Sequence, residues 1–535
     1  MIGLEIVVVL LTAVLVLSWA ARRLHLTEPV LLLAGGVLIG LIPHFRDLHV
    51  PPDLVLLIFL PPLLYAETLT ISVQQIRANL RVIVLLSVGL VIITVVTVAE
   101  TAHGLGLSLT MAFVLGAVLA PTDATAVAGV ARGMPRRMLT TVRAESLVND
   151  GTALVVFSVA VGIAVGRHSF GWGETIGRFA LSYAGGLAIG AGVALLVILV
   201  RRRIEDTGIE SGLSVLTPFA AYLPAEEAGV SGVLAVVVCG LIMSWASPLL
   251  IRASSRLQVF SFWDVTSFLL NRALFVLVGI QLPEAVSGLH SLGPGRAVAS
   301  AAAISGTVIA TRLAYLNITP YLIRAVDRRP QQRARRVGAR QRLPLGWAGV
   351  RGAVSLAAVL AVPRLGADGS PLRGRDAIVF ITAMVIVVTL VFQGQTLPAV
   401  VRWARLPADP AADDEEILAR RRVVEVALDE LPRLAAGIGA SSEVVDRLAD
   451  ELGQTADTLR TADESAQHTE LELRRALIAV KRQALVELRN THRIDDSVLR
   501  RVQETLDAEE TRLELRGAAA RPMPAETDGP PPPPH

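Results

Sequence analysis

The stretch LGAVLAPTDATAVAGV, residues 115–130, decides the fold. It is apolar enough to lie in a lipid bilayer, yet Pro121 stands near its middle and Thr122 and Asp123 follow directly. Proline lacks the amide hydrogen that a continuous helix needs, and a bilayer tolerates unwound backbone only where it is buried in protein or lines a cavity. The stretch therefore predicts a discontinuous helix inside a membrane protein.

Further apolar runs fill the first three quarters of the chain. The 535 residues are 53% hydrophobic and 18% charged, a composition unlike that of soluble domains. A helix needs about 20 apolar residues to cross the hydrocarbon core. We therefore predict an all-α polytopic membrane protein with thirteen spans, at 4–21, 27–43, 53–69, 82–100, 108–130, 140–165, 177–200, 211–223, 229–247, 259–282, 297–323, 345–362 and 375–402.

Arginines between the spans indicate the orientation. They are concentrated in every second loop, and positively charged loops stay in the cytoplasm. The N-terminus is thus expected outside and the C-terminus inside, in the plasma membrane. The arginine-rich loops hold Arg22, Arg23, Arg77, Arg81, Arg132, Arg136, Arg137, Arg143, Arg201, Arg202, Arg203, Arg252, Arg256 and the segment 324–342.

Thirteen spans divide into two halves of six with one span between them, which gives the halves opposite orientations. Such inverted repeats are typical of secondary transporters. The twelfth span contains GWAGVRGAVSL, residues 346–356, and its glycines indicate a second interruption. The two interrupted spans are each the fifth of their half. Matched discontinuous helices point to an ion site at the bilayer midplane, although glycine and proline can also serve helix packing.

The C-terminal quarter has a different composition. The net charge of +3 combines +13 over residues 1–406 with −10 over residues 407–535. Apolar residues recur at helical spacing, which predicts a cytoplasmic helical tail over 407–520, and the Pro-rich end 521–535 is predicted to be disordered. The acidic tail could dock on the arginine loop 324–342 and tune activity, or it could serve solubility or dimer formation.

Charged residues inside the predicted spans are the candidate functional groups. Each costs about 2.5–3.5 kcal/mol at the centre of a span, so it usually marks a pathway or has a partner. No role is assigned to Arg272, which could reach the headgroup region from near the end of its span. The candidates within the spans are Glu67, Asp123, Glu145, Asp150, Arg272, Arg312 and Arg351.

The segment RAESLVNDGTALVVF, residues 143–157, carries the densest cluster. Glu145, Ser146, Asn149 and Asp150 lie on roughly one face of a helix, because residues four apart are neighbours on a helix surface. Carboxylate, hydroxyl and freed backbone carbonyl oxygens suit a hard cation such as sodium. Burial raises the pKa of a carboxyl group in general, so a buried carboxylate can hold either a proton or a cation. Exclusive occupancy of this kind is a mechanism for exchange.

The remaining charges have less specific interpretations. Glu145 is expected to pair with Arg312, because an unpaired buried charge is costly. Arg351 could satisfy the C-terminus of a half-helix or shield the ion site. Glu67 could line the entry to the site or bond a neighbouring helix. No nucleic-acid partner and no histidine metal site are indicated.

Six motifs, in order, resemble those of the cation:proton antiporters that include the animal sodium/proton exchangers and the bacterial NhaP-type antiporters. The resemblance covers roughly residues 1–405. The motifs are FLPPLLYAETL (59–69), LAPTDATAVAGV (119–130), RAESLVNDGTALVVF (143–157), FLLNRALFVLVGIQL (268–282), ATRLAYL (310–316) and GWAGVRGAVSLA (346–357).

The resemblance implies a homodimer in which a mobile core half holds two crossed, broken helices. Asp150 would bind sodium or a proton in turn, and Thr122, Asp123 and Ser146 would complete the site. Asn149 stands at the position where a related, electrogenic branch of these antiporters has a second aspartate. The transported ions would be Na⁺ and H⁺, exchanged one for one, with no cofactor.

Three alternatives remain open from the sequence. The first is a potassium-preferring antiporter, since oxygen ligands alone do not fix the size of a site. The second is a membrane aspartyl protease, which the lack of a GxGD context around Asp123 and Asp150 disfavours. The third is a sensor derived from a transporter.

Overall fold

The computed structural model describes residues 2–519 with several gaps. The gaps are 25–26, 43–51, 72, 75, 77–82, 84, 125–126, 128–133, 167–171, 205, 288, 290–293, 327–337, 407–410, 462–463 and 492–495. The Pro-rich end 521–535 and most of the arginine loop 324–342, which the sequence singled out, lie outside the described residues.

The described part is helical, with no strand beyond an isolated bridge between Leu365 and Pro371. Its first fifteen helices are α1 (Ile2–Leu24), α2 (Glu28–Gly40), α3 (Pro52–Leu69), α4 (Leu90–Gly104), α5 (Leu109–Leu119), α6 (Arg136–Ala164), α7 (Trp172–Arg201), α8 (Thr207–Glu227), α9 (Gly232–Leu250), α10 (Ala253–Ser287), α11 (Pro294–Val326), α12 (Ala339–Trp347), α13 (Ala353–Leu360), α14 (Arg375–Val388) and α15 (Gly394–Ala404). The remaining four α-helices are α16 (Ala411–Ile438), α17 (Ser442–Thr461), α18 (Glu464–Asn490) and α19 (Asp496–Ala519), and two π-helical segments, Leu85–Gly89 and Thr389–Gln393, directly precede α4 and α15.

Where they are described, the residues of the predicted spans lie mainly in helices. Seven of the described helical segments are long and apolar enough to cross a membrane, and four shorter helices are also apolar. The helices are often longer than predicted: α10 has 35 residues against a predicted span of 259–282. A helix can continue past the hydrocarbon core, because only about 20 of its residues need to be apolar. The number of thirteen spans stays a prediction.

Two helical interruptions fall where proline and glycine predicted them. Helix α5 begins at Leu109, where the Ser108 side chain accepts a hydrogen bond from the Met111 amide, and it ends at Leu119, before Pro121. Residues 348–352 separate α12 from α13. Within the second half of the predicted span 108–130, residues 125–126 and 128–130 lie outside the described residues.

The helices of the unit Met1–Pro407 pack as two groups. One group contains α1–α3 and α7–α10, and the other contains α4–α6 and α11–α15. Helices α2 and α10 approach each other at Gly36 and Gly279. A Cβ atom on Gly279 would lie 2.8 Å from the Gly36 Cα atom. Small residues of this kind let helix backbones pack closely inside a membrane.

In the unit Ala408–His535, the described residues form two helical hairpins. Helix α16 ends at Ile438, and Gly439 follows with φ 73°, the left-handed conformation that often ends a helix before a turn. In the second hairpin Lys481 of α18 pairs with Glu509 of α19 at 3.0 Å. Leu485, Leu499 and Leu506 are buried between these two helices.

Candidate ion-binding site

The two helical interruptions are joined directly. The Asp123 backbone amide donates a hydrogen bond to the Val350 carbonyl at 2.8 Å. The Asp123 carboxylate accepts a bond from the amide of Ala353, the first residue of α13, at 3.4 Å. Gly352 leaves room for that carboxylate, because a Cβ atom on this residue would collide with it. Asp123 therefore places a negative charge at a helix N-terminus, where the helix dipole favours it.

Arg351 lies at the C-terminal ends of both half-helices. Its Nε atom donates to the carbonyl of Leu119, the last residue of α5, at 2.8 Å. A second guanidinium nitrogen donates to the Gly349 carbonyl, just beyond α12. Helix C-terminal carbonyls lack partners in the helix and carry partial negative charge. The sequence allowed two interpretations of Arg351. These contacts match the first, in which Arg351 satisfies the C-terminus of a half-helix.

Helix α6 is hydrogen-bonded to the first interruption. The Ser146 hydroxyl donates to the Thr122 carbonyl and accepts from the Ala124 amide at 3.3 Å. The Asn149 side-chain amide donates to the Thr122 hydroxyl at 3.2 Å and to the Ala120 carbonyl at 3.4 Å. Both side chains are buried. These contacts fix the unwound backbone against the α6 face that also carries Asp150.

Asp150 faces a small cavity between α3, α6, α10 and the two interruptions. The cavity measures about 10 Å³, close to the roughly 10–15 Å³ that one water molecule requires. Asp150 is buried, and its Oδ1 atom has no hydrogen-bond partner among the described residues. The polar side chains lining the cavity are those of Glu67, Thr122, Asp123, Ser146, Asp150, Asn271 and Ser355.

The structure separates the predicted site residues into two sets. Thr122, Asp123, Ser146 and Asp150 line the cavity together with Glu67, which the sequence offered only as a possible pathway residue. Asn149, expected among the ion-binding residues, is not in the cavity wall and instead bonds the unwound backbone.

Glu145 and Arg312 form a buried ion pair away from the cavity. Two guanidinium nitrogens of Arg312 donate to the two carboxylate oxygens of Glu145 at 2.6 and 2.9 Å. Arg312 also donates to the Leu345 carbonyl in α12 at 3.3 Å. Paired geometry of this kind offsets the cost of removing both charges from water. The pair therefore ties α6 to α11 and α12.

Two neighbouring polar residues of α10 have surroundings that the sequence did not predict. Arg272, for which a reach toward the headgroups had been considered, instead forms a two-point ion pair with Glu28 at 2.6 and 2.9 Å. Asn271, its neighbour in α10, lines the cavity. An amide within an apolar span was the available signal for Asn271, because polar residues inside the membrane usually have a function.

The structure contains a second, larger cavity with a separate set of lining residues. It measures about 690 Å³ and is lined by residues from α3, α6, α7, α8 and α9, including Leu60, Leu154 and Phe157. Leu154 follows Asp150 by four residues in α6, which is one helical turn. The two cavities share no lining residue. The wall of the large cavity therefore includes a residue of α6 one helical turn from Asp150.

Comparisons with known proteins agree on one family. The family profile described as "Sodium/hydrogen exchanger, transmembrane" matches residues 8–403. A Na(+)/H(+) exchanger of Mycobacterium tuberculosis, named as uncharacterised, is 46% identical over 522 residues, covering 96% of each chain. A sodium, potassium, lithium and rubidium/H(+) antiporter of Bacillus subtilis is 31% identical over 418 residues, or 74% of this chain and 60% of that one.

A solved structure shares the fold. The sodium proton antiporter MjNhaP1 from Methanocaldococcus jannaschii matches with a TM-score of 0.57 at 18% identity, covering 76% of this chain and 99% of that one. The family profile and the 46% identity together identify the family, which is one of multi-pass membrane transporters. The chain belongs to the transmembrane sodium/hydrogen exchanger family.

Proposed function

We propose that this protein is a secondary active antiporter that exchanges Na⁺ for H⁺ across the plasma membrane. The observation that carries the proposal is the Asp150 Oδ1 atom, which is buried beside a water-sized cavity and has no hydrogen-bond partner among the described residues. A buried carboxylate oxygen without a partner is costly, so it binds a proton or a cation. The two ions compete for Asp150, and this competition couples their movements.

The surroundings of the other acids support a one-for-one, electroneutral exchange. Glu145 is neutralised by Arg312, and Asp123 lies at the N-terminus of α13. Asn149 supplies an amide that already bonds Thr122 and Ala120. Asp150 is thus the acid best placed to change its charge, while Glu67 serves as a secondary group at the entry.

Alternating access is the mechanism that the two cavities support. The large cavity ends one helical turn from Asp150, and Leu60, Leu154 and Phe157 line its wall. A relative movement of the two helix groups would open this route and close the path on the other side of the site. The N-terminus then lies outside and the C-terminal tail inside, as the loop arginines indicate. The working form is a homodimer that maintains intracellular pH and sodium.

A potassium-preferring antiporter is the second candidate. The Bacillus subtilis relative is named for four alkali cations, so a related site can accept ions larger than sodium. Oxygen ligands alone do not set the preference, which depends on the size of the site and the number of its ligands. Measuring exchange with Na⁺, Li⁺ and K⁺ at several pH values separates the two candidates.

The test is proton flux in proteoliposomes, read with a pH-sensitive dye after a cation is added outside. Asp150→Asn should abolish cation-dependent proton flux, because the amide cannot exchange a proton for a cation. The matched control is Asp264→Asn, which makes the same change at an exposed position in α10 and should retain exchange. Exchange at the wild-type rate by Asp150→Asn would overturn the proposal.

A further inference from the structure

Among the described residues, the helix group α1–α3 and α7–α10 contributes two polar side chains to the cavity. They are Glu67 of α3 and Asn271 of α10. The cavity wall from the other group consists of α6, the two interruptions and the start of α13. Asp150 projects from α6, and Asn271 lines the same cavity from α10. An ion held in this small space therefore contacts side chains from both helix groups.

The neighbours of Asn271 in α10 hold this part of the helix in place. Arg272 binds both carboxylate oxygens of Glu28 in α2 and also donates to the Phe268 carbonyl at 3.2 Å. About two helical turns further on, Gly279 packs against Gly36 of α2. Side chains carried by a rigid element can be positioned accurately, as an ion ligand requires.

The amide of Asn271 differs chemically from the carboxylates around it. Its Oδ1 atom is a neutral oxygen that can coordinate a cation, and it does not take up a proton in the pH range in which a carboxylate titrates. Glu67, Asp123 and Asp150 already place three acidic groups around the cavity. A fourth acidic group would bind both transported ions more tightly, whereas an amide favours the cation alone.

We propose that Asn271 is a cation-selective ligand, which coordinates the transported cation through its amide oxygen and takes no part in the proton-loaded state. This inference rests on the proposed function and adds a residue to its site. Removing the amide oxygen weakens cation binding and leaves proton binding at Asp150 intact. The apparent KM for the cation therefore rises, while the maximal rate at saturating cation and its pH dependence stay the same.

The experiment compares Asn271→Leu, which removes the oxygen at similar volume, with Asn271→Asp, which keeps an oxygen at the same place. Proteoliposome exchange is measured over a range of Na⁺ concentrations at several pH values. We expect Asn271→Leu to raise the apparent KM roughly tenfold, the usual effect of removing one polar partner of a charged group. Asn271→Asp should keep the apparent KM at or below the wild-type value. A purely structural role would make both variants defective alike.

The matched control is Asn317→Leu in α11, where the amide donates to the Leu313 carbonyl outside the cavity. It should leave the apparent KM unchanged. Stabilisation of the detergent-purified proteins by NaCl, relative to choline chloride, measures cation binding without transport. Stabilisation of Asn271→Leu equal to that of the wild type, or an unchanged KM, would overturn this inference and leave the proposed function standing. Absence of exchange by the wild-type protein would instead overturn the proposed function.

Discussion

At the scale of single residues, the charges in the membrane unit occupy distinct environments. Arg312 neutralises Glu145, Arg272 neutralises Glu28, and Arg351 lies on two helix ends. Asp150 has an oxygen atom with no such partner in the described structure. Because unpaired buried charge is costly, the pairs contribute to stability, and in the proposed antiporter the unpartnered Asp150 oxygen is the atom that would bind an ion.

The Glu145–Arg312 pair gives a prediction about stability. Glu145→Gln leaves Arg312 buried without a counter-charge, which costs about 3–5 kcal/mol. We expect a lower midpoint of thermal unfolding in detergent. The control is Glu174→Gln, which removes an exposed pair with Arg178 within α7. A surface pair contributes about 0–1 kcal/mol, so equal losses of stability in the two variants would contradict the assignment.

At the scale of elements, the two interrupted helices show what the sequence could predict. Pro121 and the glycines of 346–352 locate both interruptions, because a missing amide hydrogen and a missing side chain act locally. The proposed pairing of Glu145 with Arg312 followed from the cost of an unpaired charge. The contact of Arg272 with Glu28 was not predicted, because a charge near the end of a span can also be satisfied by the headgroup region.

Asn149 illustrates a different limit of the sequence. Helical spacing places it beside Asp150, and oxygen-bearing side chains on one face look alike as ion ligands. Only the backbone path of 120–122 determines that its amide bonds the Ala120 carbonyl and the Thr122 hydroxyl. The path of an unwound segment depends on its tertiary contacts, which spacing does not encode.

The junction of the interrupted helices gives a prediction about activity. In Gly352→Ala the new methyl group would displace the Asp123 carboxylate from the N-terminus of α13. A shift of about 1 Å near a reacting centre can cost roughly 100-fold in rate, and we expect a loss of exchange of this order in proteoliposomes. The control is Gly306→Ala in α11, where a methyl group meets no atom within 4 Å. Similar exchange rates in the two variants would refute the role of this contact.

At the scale of the whole molecule, the number of charges moved per cycle is the property to measure. One proton exchanged for one monovalent cation moves no net charge, so a membrane potential does not drive the cycle. We expect the initial rate of Na⁺-driven proton flux to be the same with and without a potassium diffusion potential set by valinomycin. Because one elementary charge gains about 2.3 kcal/mol per 100 mV, a steep dependence of the rate on potential would contradict one-for-one exchange.

The size of the cavity at Asp150 has a consequence for leakage. Protons can hop along chains of hydrogen-bonded water, and such a chain requires several adjoining water positions. The space beside Asp150 is about that of one water molecule, and the large cavity on the far side of Leu154 shares none of its walls. A cavity of this size leaves no room for such a chain, so in the proposed antiporter a proton or a cation would cross only through a conformational change.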